Sequence, residues 1–288
     1  MISTKLKTLL QTLSLDQLLA LLAVLIVSTL PFQTQADDEV GRIEIHTFDS
    51  TTLTDQQFLQ GKTSGVPVTL AGELRYPRIK KDQYPAVLLV HGSGGISGYI
   101  DDWASVLNQA GIATFIVDSF TGRGLVKVNN DQSLLGRLAQ IVDAYRALDV
   151  LAQQKKIDKT HIALMGFSRG GQVTLYSSLN RFHKLQGTGS GNDFSAYLAF
   201  YPSCATRYKV DNDIVDKPVR IYHGTADNYN SIAPCREYVQ RLISNGNDVK
   251  LLEYAGANHV FDYRKLTKPI VLKKAQTTRC LLYTSPSP

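Results

Sequence analysis

The stretch Ala163–Gly171, which reads ALMGFSRGG, most constrains what this chain of 288 residues can fold into. An apolar approach leads into the pattern G-x-S-x-G, and a helical pattern follows from Gln172. This order predicts a strand, a sharp turn that carries Ser168, and a helix. Such a turn lifts the serine hydroxyl clear of the sheet and places the N–H of Arg169 at a helix start. A glycine-rich turn without catalysis has the same pattern, so a nucleophilic serine requires a base and an acid elsewhere.

Patterns of strand and helix alternate from Pro85 onward, after two early strands. The early strands, Arg42–Phe48 and Val68–Tyr76, are predicted to pair as an antiparallel edge. The later strands are mostly apolar and are predicted at Pro85–Val90, Ala113–Val117, His161–Met165, Phe194–Tyr201, Val219–His223 and Val249–Tyr254. This alternation predicts an α/β fold of the α/β-hydrolase type, with a mainly parallel central sheet and helices on both faces.

Four segments have helical patterns, and one long segment reads as a loop. The helices are predicted at Tyr99–Ala110, Asp131–Gln154, Gln172–Leu179 and Cys235–Ser244. The second is the longest segment, and its apolar residues recur at spacings of three and four, which is typical of a helix with one buried face. The segment Asn180–Asp193 is polar and rich in glycine, which predicts a loop.

A base for Ser168 is sought among six histidines. Ligands bind at the carboxyl ends of strands in such sheets, so a candidate base should follow a strand. His91, His223 and His259 do so. His259 lies in the loop after the last strand, and a loop can bring an imidazole across to the serine more easily than a strand end. We therefore predict His259 as the base and assign the other two to bracing their loops.

The histidine needs a carboxylate that fixes its tautomer, and Asp227 is the predicted one. Asp227 follows the penultimate strand, after a glycine that lets the chain turn. Asp262 is near His259 in sequence, which does not aim its side chain at the ring, and Asp118 follows a more distant strand. The remaining alternatives precede a strand, at the wrong end of the sheet; they are Asp211, Asp213 and Asp216. The resulting order Ser168, Asp227, His259 is that of α/β-hydrolases.

Two further roles are predicted around the serine. The oxyanion hole would use the N–H of Arg169 and one N–H from the glycine-rich loop after Val90, from Ser93 or Gly94. Arg123 and Arg169 are candidates to bind an acidic group of the substrate. The alternatives are a solvated or structural side chain for Arg169 and a loop brace for Arg123.

Five motifs in this order carry a family resemblance: LLVHGSGG, VDSFTGRG, GFSRGG, HGTAD and YAGANHVFD. Together they resemble the dienelactone hydrolase family of α/β-hydrolases over roughly residues 68–262. The resemblance implies hydrolysis of small-molecule esters or lactones through an acyl-enzyme, without a metal or cofactor. The family's own nucleophile is a cysteine, whereas Ser168 stands here, which favours a serine-esterase-like relative. Such folds also end in a helix after the histidine loop, and residues 265–276 hold only a fragment of a helical pattern.

Two other functional classes remain open. A serine peptidase of the prolyl-oligopeptidase type has the same turn, although that group usually carries a large additional domain for which this chain lacks the length. A non-catalytic binding protein on the same fold is disfavoured, because residues competent for catalysis fill all three positions. The net charge of +6 is spread over the chain without a basic, aromatic-rich helix, which argues against nucleic-acid binding.

The ends of the chain differ from its middle. Lys5 and Lys7, the apolar run Leu18–Leu30 and the small residues before Asp37 predict a cleaved signal peptide over residues 1–36. The run is shorter than a spanning helix needs, so no stable membrane anchor is expected after cleavage, and the protein would be secreted or periplasmic. The hydrolase domain is assigned to 37–276. Residues 277–288, which end in a Ser-Pro repeat, are interpreted as a non-native tail.

Two of the three cysteines are predicted to form a disulfide. Cys204 follows the strand Phe194–Tyr201, and Cys235 opens a helix just past the strand Val219–His223. Both would lie at the same end of neighbouring strands. In an exported protein such a pair favours a bridge over two buried free thiols. Cys280 belongs to the tail and is not assigned a role.

Overall fold

A computed structural model of the protein describes residues 40–187, 189–263, 270–273 and 279–282. The predicted signal peptide, residues 1–36, lies outside the described residues, as does most of the tail 277–288. Within the described ranges the chain contains one large sheet, a short two-stranded ribbon and six α-helices.

The large sheet has eight strands in the order β1-β2-β4-β3-β5-β6-β7-β8. Its strands are β1 (Val40–Thr52), β2 (Val66–Pro77), β3 (Tyr84–Val90), β4 (Ala113–Asp118), β5 (Ile157–Phe167), β6 (Ala196–Phe200), β7 (Val219–Gly224) and β8 (Val249–Tyr254). β1 and β2 pair antiparallel, β2 pairs antiparallel with β4, and all the remaining neighbours are parallel. The antiparallel edge and the parallel remainder are as the sequence predicts. The ribbon joins β9 (Ile270–Lys273) to β10 (Arg279–Leu282).

The helices follow strands, as in other open α/β sheets. They are α1 (Asp55–Leu59), α2 (Gly98–Gln109), α3 (Ala139–Ala152), α4 (Arg169–Ser177), α5 (Asn180–Gln186) and α6 (Ala233–Ser244). Two single 3-10 turns lie at Thr121–Arg123 and Gln132–Leu134. No helix within the described ranges is both long enough and apolar enough to cross a membrane.

Apolar cores cover both faces of the sheet, and β3 shows why. Successive side chains of a strand point to opposite faces. Leu88 of β3 belongs to the larger core together with residues of α3, α4 and α6, whereas Leu89 belongs to a second core with residues of α2. Both side chains are fully buried. The α/β-hydrolase prediction, with helices on both faces, is therefore confirmed.

The prediction of one long helix over Asp131–Gln154 is wrong in its first two turns. α3 begins only at Ala139, and the residues before it form a 3-10 turn and an extended stretch. The carboxylate of Asp131 accepts hydrogen bonds from the N–H and hydroxyl of Ser133, which favours a turn over a helix. Leu134, expected on the buried helix face, is exposed, whereas Leu135 is buried.

The predicted loop Asn180–Asp193 is also partly wrong, because its first half is α5. α5 is held by tertiary contacts rather than by a regular apolar stripe. Phe182 is fully buried and packs edge-to-face on Phe58 of α1, with ring centroids 4.9 Å apart. One buried aromatic residue in a polar stretch is too weak a periodic signal to predict a helix.

Candidate active site

Ser168 lies at the turn between β5 and α4 in a backbone conformation that few residues adopt. Its φ is 55° and its ψ is −109°. A Cβ added at Gly166 would lie 2.1 Å from the carbonyl oxygen of Gly170, and one added at Gly170 would lie 2.2 Å from that of Val90. Both glycines are therefore required for the strand, turn and helix to approach so closely. Strain of this kind is held in place by surrounding structure and is common at functional sites.

His259 and Asp227 form a hydrogen-bonded row with Ser168. His259 Nε2 is 2.9 Å from Ser168 Oγ, and His259 Nδ1 is 2.7 Å from Asp227 Oδ2. The carboxylate accepts from Nδ1–H, so Nε2 is left to accept the proton of the serine hydroxyl. Both the imidazole and the carboxylate are buried. The three residues chosen from the sequence therefore lie in one chain of contacts; their catalytic roles stay a prediction.

The second carboxylate oxygen of Asp227 is fixed by its own loop. Oδ1 accepts hydrogen bonds from the N–H groups of Tyr229, at 2.9 Å, and of Asn230, at 2.8 Å. The imidazole is held from both sides by aromatic rings, with Tyr201 edge-on at 4.7 Å and Tyr229 tilted at 4.8 Å between centroids. Neither residue of the hydrogen-bonded pair can turn away without breaking these contacts.

The loop after β3 lies directly against the serine. A Cβ added at Gly92 would lie 3.4 Å from Ser168 Cβ, and the N–H of Gly92 donates to the hydroxyl of Tyr99 at 3.1 Å. The N–H groups of Ser93 and Gly94 donate to no other group of the described chain. The N–H of Arg169 is the first of α4 and so has no acceptor within its helix. Ser93 and Gly94 line the same cavity as Ser168, and the oxyanion hole, with the choice between these two residues, stays a prediction.

The guanidinium of Arg169 is held by three groups of the protein, which argues against its predicted substrate-binding role. The side chain is 2% exposed. Its Nε lies 2.5 Å from Gln140 Oε1, its Nη1 lies 2.7 Å from Gln132 Oε1, and its Nη2 donates to the carbonyl oxygen of Leu135. All three acceptors are neutral, and burial together with nearby Arg137 lowers the pKa of Arg169 to about 10. The guanidinium ties α4 to the segment that the sequence misread as helix.

Arg123 also does not fit its predicted role in substrate binding. Two cavities, described below, lie beside Ser168, and Arg123 lines neither of them. Its guanidinium makes two hydrogen bonds to the buried carboxylate of Asp143, at 2.8 and 2.9 Å, and a further one to the carbonyl oxygen of Ser119. Its Nε donates to the hydroxyl of Thr52 in β1. A paired, buried guanidinium of this kind braces the fold, since four of its five N–H groups are engaged within the protein.

The other histidines at strand ends brace their loops, as the sequence suggests. His91 is fully buried; its Nδ1 donates to the carbonyl oxygen of Gly92 at 2.8 Å, and its Nε2 accepts from the N–H of Ser119 at 3.3 Å. Burial lowers the pKa of His91, in keeping with a neutral ring that donates on one side and accepts on the other. His223 lies between carbonyl oxygens of Pro202 and Gly224, and burial lowers its pKa as well.

Asp262, the sequence-adjacent alternative to Asp227, makes no hydrogen bond to His259 among the described residues. Its Oδ2 accepts from Trp103 Nε1 at 2.6 Å, which ties the histidine loop to α2. Burial raises the pKa of Asp262. The residue that follows His259, Val260, has a φ of 59°, a strained value for a β-branched side chain. The Asp262–Trp103 bond holds the loop just beyond this strained residue.

Two cavities meet at Ser168. The larger, of about 480 Å³, is lined by polar side chains, among them Gln132 and Gln172. The smaller, of about 280 Å³, is lined mainly by aromatic side chains and includes His259. Sequence reasoning missed these lining residues. Gln172 offered the one usable signal, because it lies one helical turn after Ser168, on the same side of α4.

Cys204 and Cys235 are joined by a disulfide, as predicted. The bridge ties the segment after β6 to the start of α6, 31 residues apart in sequence. Ser203, which precedes the first cysteine, lines the polar cavity. The bridge therefore restrains one wall of that cavity.

Comparison with known proteins gives a family and a fold. The model of the dienelactone hydrolase family matches residues 74–279. No curated protein matches the chain. Among solved structures, a dienelactone hydrolase-like promiscuous phosphotriesterase from metagenomic libraries is 18% identical, with a TM-score of 0.56 over 77% of this chain and 85% of that one.

Two further structures are similar at the level of fold. A thermophilic esterase from the Planctomycetes species Thermogutta terrifontis, with propionate bound, is 18% identical, with a TM-score of 0.55 over 67% of this chain and 80% of that one. Est1E from Butyrivibrio proteoclasticus, with ferulic acid bound, is 15% identical, with a TM-score of 0.53 over 68% of this chain and 90% of that one.

Proposed function

Because the chain belongs to the dienelactone hydrolase family, we propose that it hydrolyses carboxylic esters or lactones through an acyl-enzyme on Ser168. The observation that carries the proposal is the row in which His259 lies 2.9 Å from Ser168 Oγ and 2.7 Å from Asp227 Oδ2. The fold shared with an esterase of Thermogutta terrifontis supports it.

In the first half of the reaction, Ser168 Oγ attacks the carbonyl carbon of the ester while His259 Nε2 takes the hydroxyl proton. The C=O oxygen becomes an oxyanion and accepts hydrogen bonds from the N–H of Arg169 and from that of Ser93 or Gly94. Asp227 stabilises the imidazolium and keeps Nδ1 protonated. The bond to the alcohol then breaks, and the alcohol oxygen takes the proton from Nε2, which leaves an acyl-enzyme.

In the second half, water replaces the alcohol. His259 Nε2 takes a proton from the water as its oxygen attacks the acyl carbon, and the same N–H groups bind the new oxyanion. The ester bond to Ser168 breaks, the serine regains its proton from Nε2, and the carboxylic acid leaves. No cofactor takes part in either half of this proposed reaction.

A serine nucleophile, where the family's named enzyme has cysteine, favours esters over a lactone-specific activity. A hydroxyl is a weak nucleophile at its free pKa and depends on an adjacent base. The close contact between His259 Nε2 and Ser168 Oγ meets that requirement.

We also propose that residues 1–36 form a signal peptide and that the mature enzyme begins near Asp37 in an exported form. The disulfide between Cys204 and Cys235 supports an oxidising compartment. Expression of the full chain in a bacterial host, followed by fractionation and N-terminal sequencing, tests this. A periplasmic product that starts near Asp37 is expected, and an uncleaved cytoplasmic product would refute the export.

The test of the activity is covalent labelling by a fluorophosphonate combined with turnover of p-nitrophenyl acetate. Peptide mapping should place the adduct on Ser168, and Ser168→Ala should lose both labelling and turnover. Ser244→Ala, a change at an exposed serine of α6, is the matched control and should retain both. Full turnover by Ser168→Ala would refute the assignment. Cleavage of peptide p-nitroanilides at rates that match the ester would favour the peptidase alternative.

A further inference from the structure

The two cavities at Ser168 differ in chemistry and touch the reacting groups differently. Ser168 lines both of them. His259 lines only the smaller, aromatic cavity, whereas Arg169 and Gln172 line only the larger, polar one. This arrangement offers each half of an ester that reacts at Ser168 a cavity of its own.

The proton transfer decides which half enters which cavity. The departing alcohol oxygen must lie within hydrogen-bonding distance of His259 Nε2, since that atom returns the proton. The alcohol half therefore lies on the side of His259, in the aromatic cavity. The acyl half lies on the opposite side of the carbonyl carbon, in the polar cavity beside Gln172.

We propose that the substrate is an ester of an apolar, aromatic-sized alcohol with an acyl chain that carries a hydrogen-bonding group, and that Gln172 recognises this group. The proposal rests on the ester hydrolysis proposed above and assigns the two halves of its substrate.

The environment of Gln172 indicates which chemical group a ligand in the polar cavity should carry. The residue is 8% exposed and lines the polar cavity, and its side-chain amide makes no hydrogen bond among the described residues. An amide that opens into a cavity takes its hydrogen-bond partner from a bound ligand or from water. Gln172 lies one turn of α4 after Ser168, which places it beside the acyl chain of a bound ester.

The rest of the polar cavity adds to this preference. Asn129, Asn130 and Asn230 line it with amide groups. Arg137, an exposed cation with no ion pair among the described residues, lies at the same cavity, as does one carboxylate, Asp131. Such a lining offers both donors and acceptors, which an alkyl acyl chain would leave without partners.

The smaller cavity suits an apolar alcohol. Phe167, Tyr99 and Tyr263 contribute aromatic rings to it, with Tyr99 edge-on to both of the others. The hydroxyl of Tyr99 is already engaged by the N–H of Gly92, so this ring presents apolar surface. A cavity of about 280 Å³ is larger than the roughly 150 Å³ that holds benzene in a protein core.

Two isomeric esters test the assignment in the intact protein. Benzyl 3-hydroxypropanoate carries the polar group on its acyl half, whereas 2-hydroxyethyl phenylacetate carries it on its alcohol half. After division by their alkaline hydrolysis rates, we expect kcat/KM to favour benzyl 3-hydroxypropanoate at least tenfold. Equal or reversed preference, in an enzyme that turns over both esters, would overturn the inference and leave the proposed function intact.

Gln172→Leu tests the recognising residue. Benzyl butanoate has the shape of benzyl 3-hydroxypropanoate without the hydroxyl, and the ratio of kcat/KM for the two should fall at least fivefold in the variant. Gln240→Leu, at an exposed position of α6, is the matched control and should keep the wild-type ratio. A ratio unchanged in a folded Gln172→Leu protein would remove Gln172 from the proposal. Should that variant not fold, the isomer comparison in wild type still decides.

A failure of the proposed function looks different. In that case neither ester is turned over, and the fluorophosphonate does not label Ser168.

Discussion

Arg169 Nη1 lies 2.7 Å from Gln132 Oε1, and the amide of Gln132 in turn donates to Ser93 Oγ at 2.9 Å. One guanidinium thus connects the helix after Ser168 to the loop that carries a candidate oxyanion donor. Since both groups that would bind the oxyanion belong to segments joined through Arg169, we assign its side chain a positioning role.

Arg169→Met should therefore lower kcat more than it raises KM. Loss of the guanidinium leaves Gln132 and Gln140 without their donor and frees the Ser93 loop, and a displacement of about 1 Å can cost ~100-fold in rate. We expect a 10- to 100-fold lower kcat, on the order of the cited cost, with KM changed by less than about threefold. Steady-state kinetics on p-nitrophenyl acetate measure both.

The control is Arg236→Met, which breaks a surface ion pair with Glu253 and should leave kcat unchanged. A large rise in KM with kcat intact for Arg169→Met would restore the substrate-binding role predicted from sequence.

Asp227→Asn and Asp262→Asn form a matched pair, since both replace a buried carboxylate near His259. Only Asp227 contacts the imidazole, at 2.7 Å, whereas Asp262 accepts from Trp103. Asn at 227 favours the wrong tautomer of His259, and we expect kcat to fall by about 10⁴-fold. Asp262→Asn keeps an oxygen for Trp103 and should lower kcat less than about tenfold, since no reacting group touches it. A larger loss of kcat in Asp262→Asn than in Asp227→Asn would assign the carboxylate that supports His259 to Asp262.

Gly170→Ala tests the close approach at the turn. The added methyl group would lie 2.2 Å from the carbonyl oxygen of Val90, a backbone atom that cannot move aside cheaply. We expect the free energy of unfolding to fall by about 3 kcal/mol or more, or no soluble protein. Gly94→Ala adds a methyl group with nothing within 4 Å and should change it by less than about 0.5 kcal/mol. Urea denaturation monitored by circular dichroism compares the two, and equal stabilities would contradict the packing argument.

The order of strands and helices along the sequence predicts much of the fold and the positions of Ser168, Asp227 and His259. Each of these residues follows a predicted strand, and carboxyl ends of parallel strands meet at one edge of the sheet. That rule narrows the candidates; the G-x-S-x-G pattern then selects Ser168, the loop position favours His259, and the neighbouring strand favours Asp227. The apolar runs likewise predict six of the eight strands to within about two residues, whereas β1 ends four residues later and β5 begins four residues earlier than predicted.

The rest depends on contacts between distant segments. The guanidinium of Arg169 binds Gln132 and Leu135, which lie more than 30 residues earlier in the chain. Those residues belong to a stretch whose apolar spacing is that of a helix. Sequence spacing does not reveal that a guanidinium binds there. Nor does it reveal that Gln172 lines a polar cavity, because that depends on which neighbouring loops cover α4.

The disulfide makes a quantitative prediction about stability. Cys204 and Cys235 close a loop of 31 residues, and the loss of unfolded-state entropy for such a loop corresponds to about 3–4 kcal/mol at 25 °C. The double variant Cys204→Ala, Cys235→Ala should lower the free energy of unfolding by about this amount. Peptide mapping of unreduced wild-type protein should recover the two cysteines as one linked pair. Recovery of both as free thiols would contradict the bridge.

The buried ring of His91 should make the free energy of unfolding decrease as the pH falls. Burial lowers its pKa in the folded state, whereas in the unfolded chain the ring titrates near its usual value of about 6.5. Below about pH 6.5 the unfolded state therefore binds the proton first. The stability that the neutral ring contributes is full above this pH and is lost as the pH falls.

We expect the free energy of unfolding to fall between pH 7.5 and 5.5, with a limiting slope of about 1.4 kcal/mol per pH unit for each such histidine. His91→Asn keeps a donor for the carbonyl of Gly92 and removes the titrating ring, so its slope should be shallower. His161→Asn changes an exposed ring and should keep the wild-type slope. Urea denaturation at pH 7.5, 6.5 and 5.5 gives the three slopes. A His91→Asn slope equal to that of wild type would show that the ring titrates alike in both states, against the buried geometry between Gly92 and Ser119.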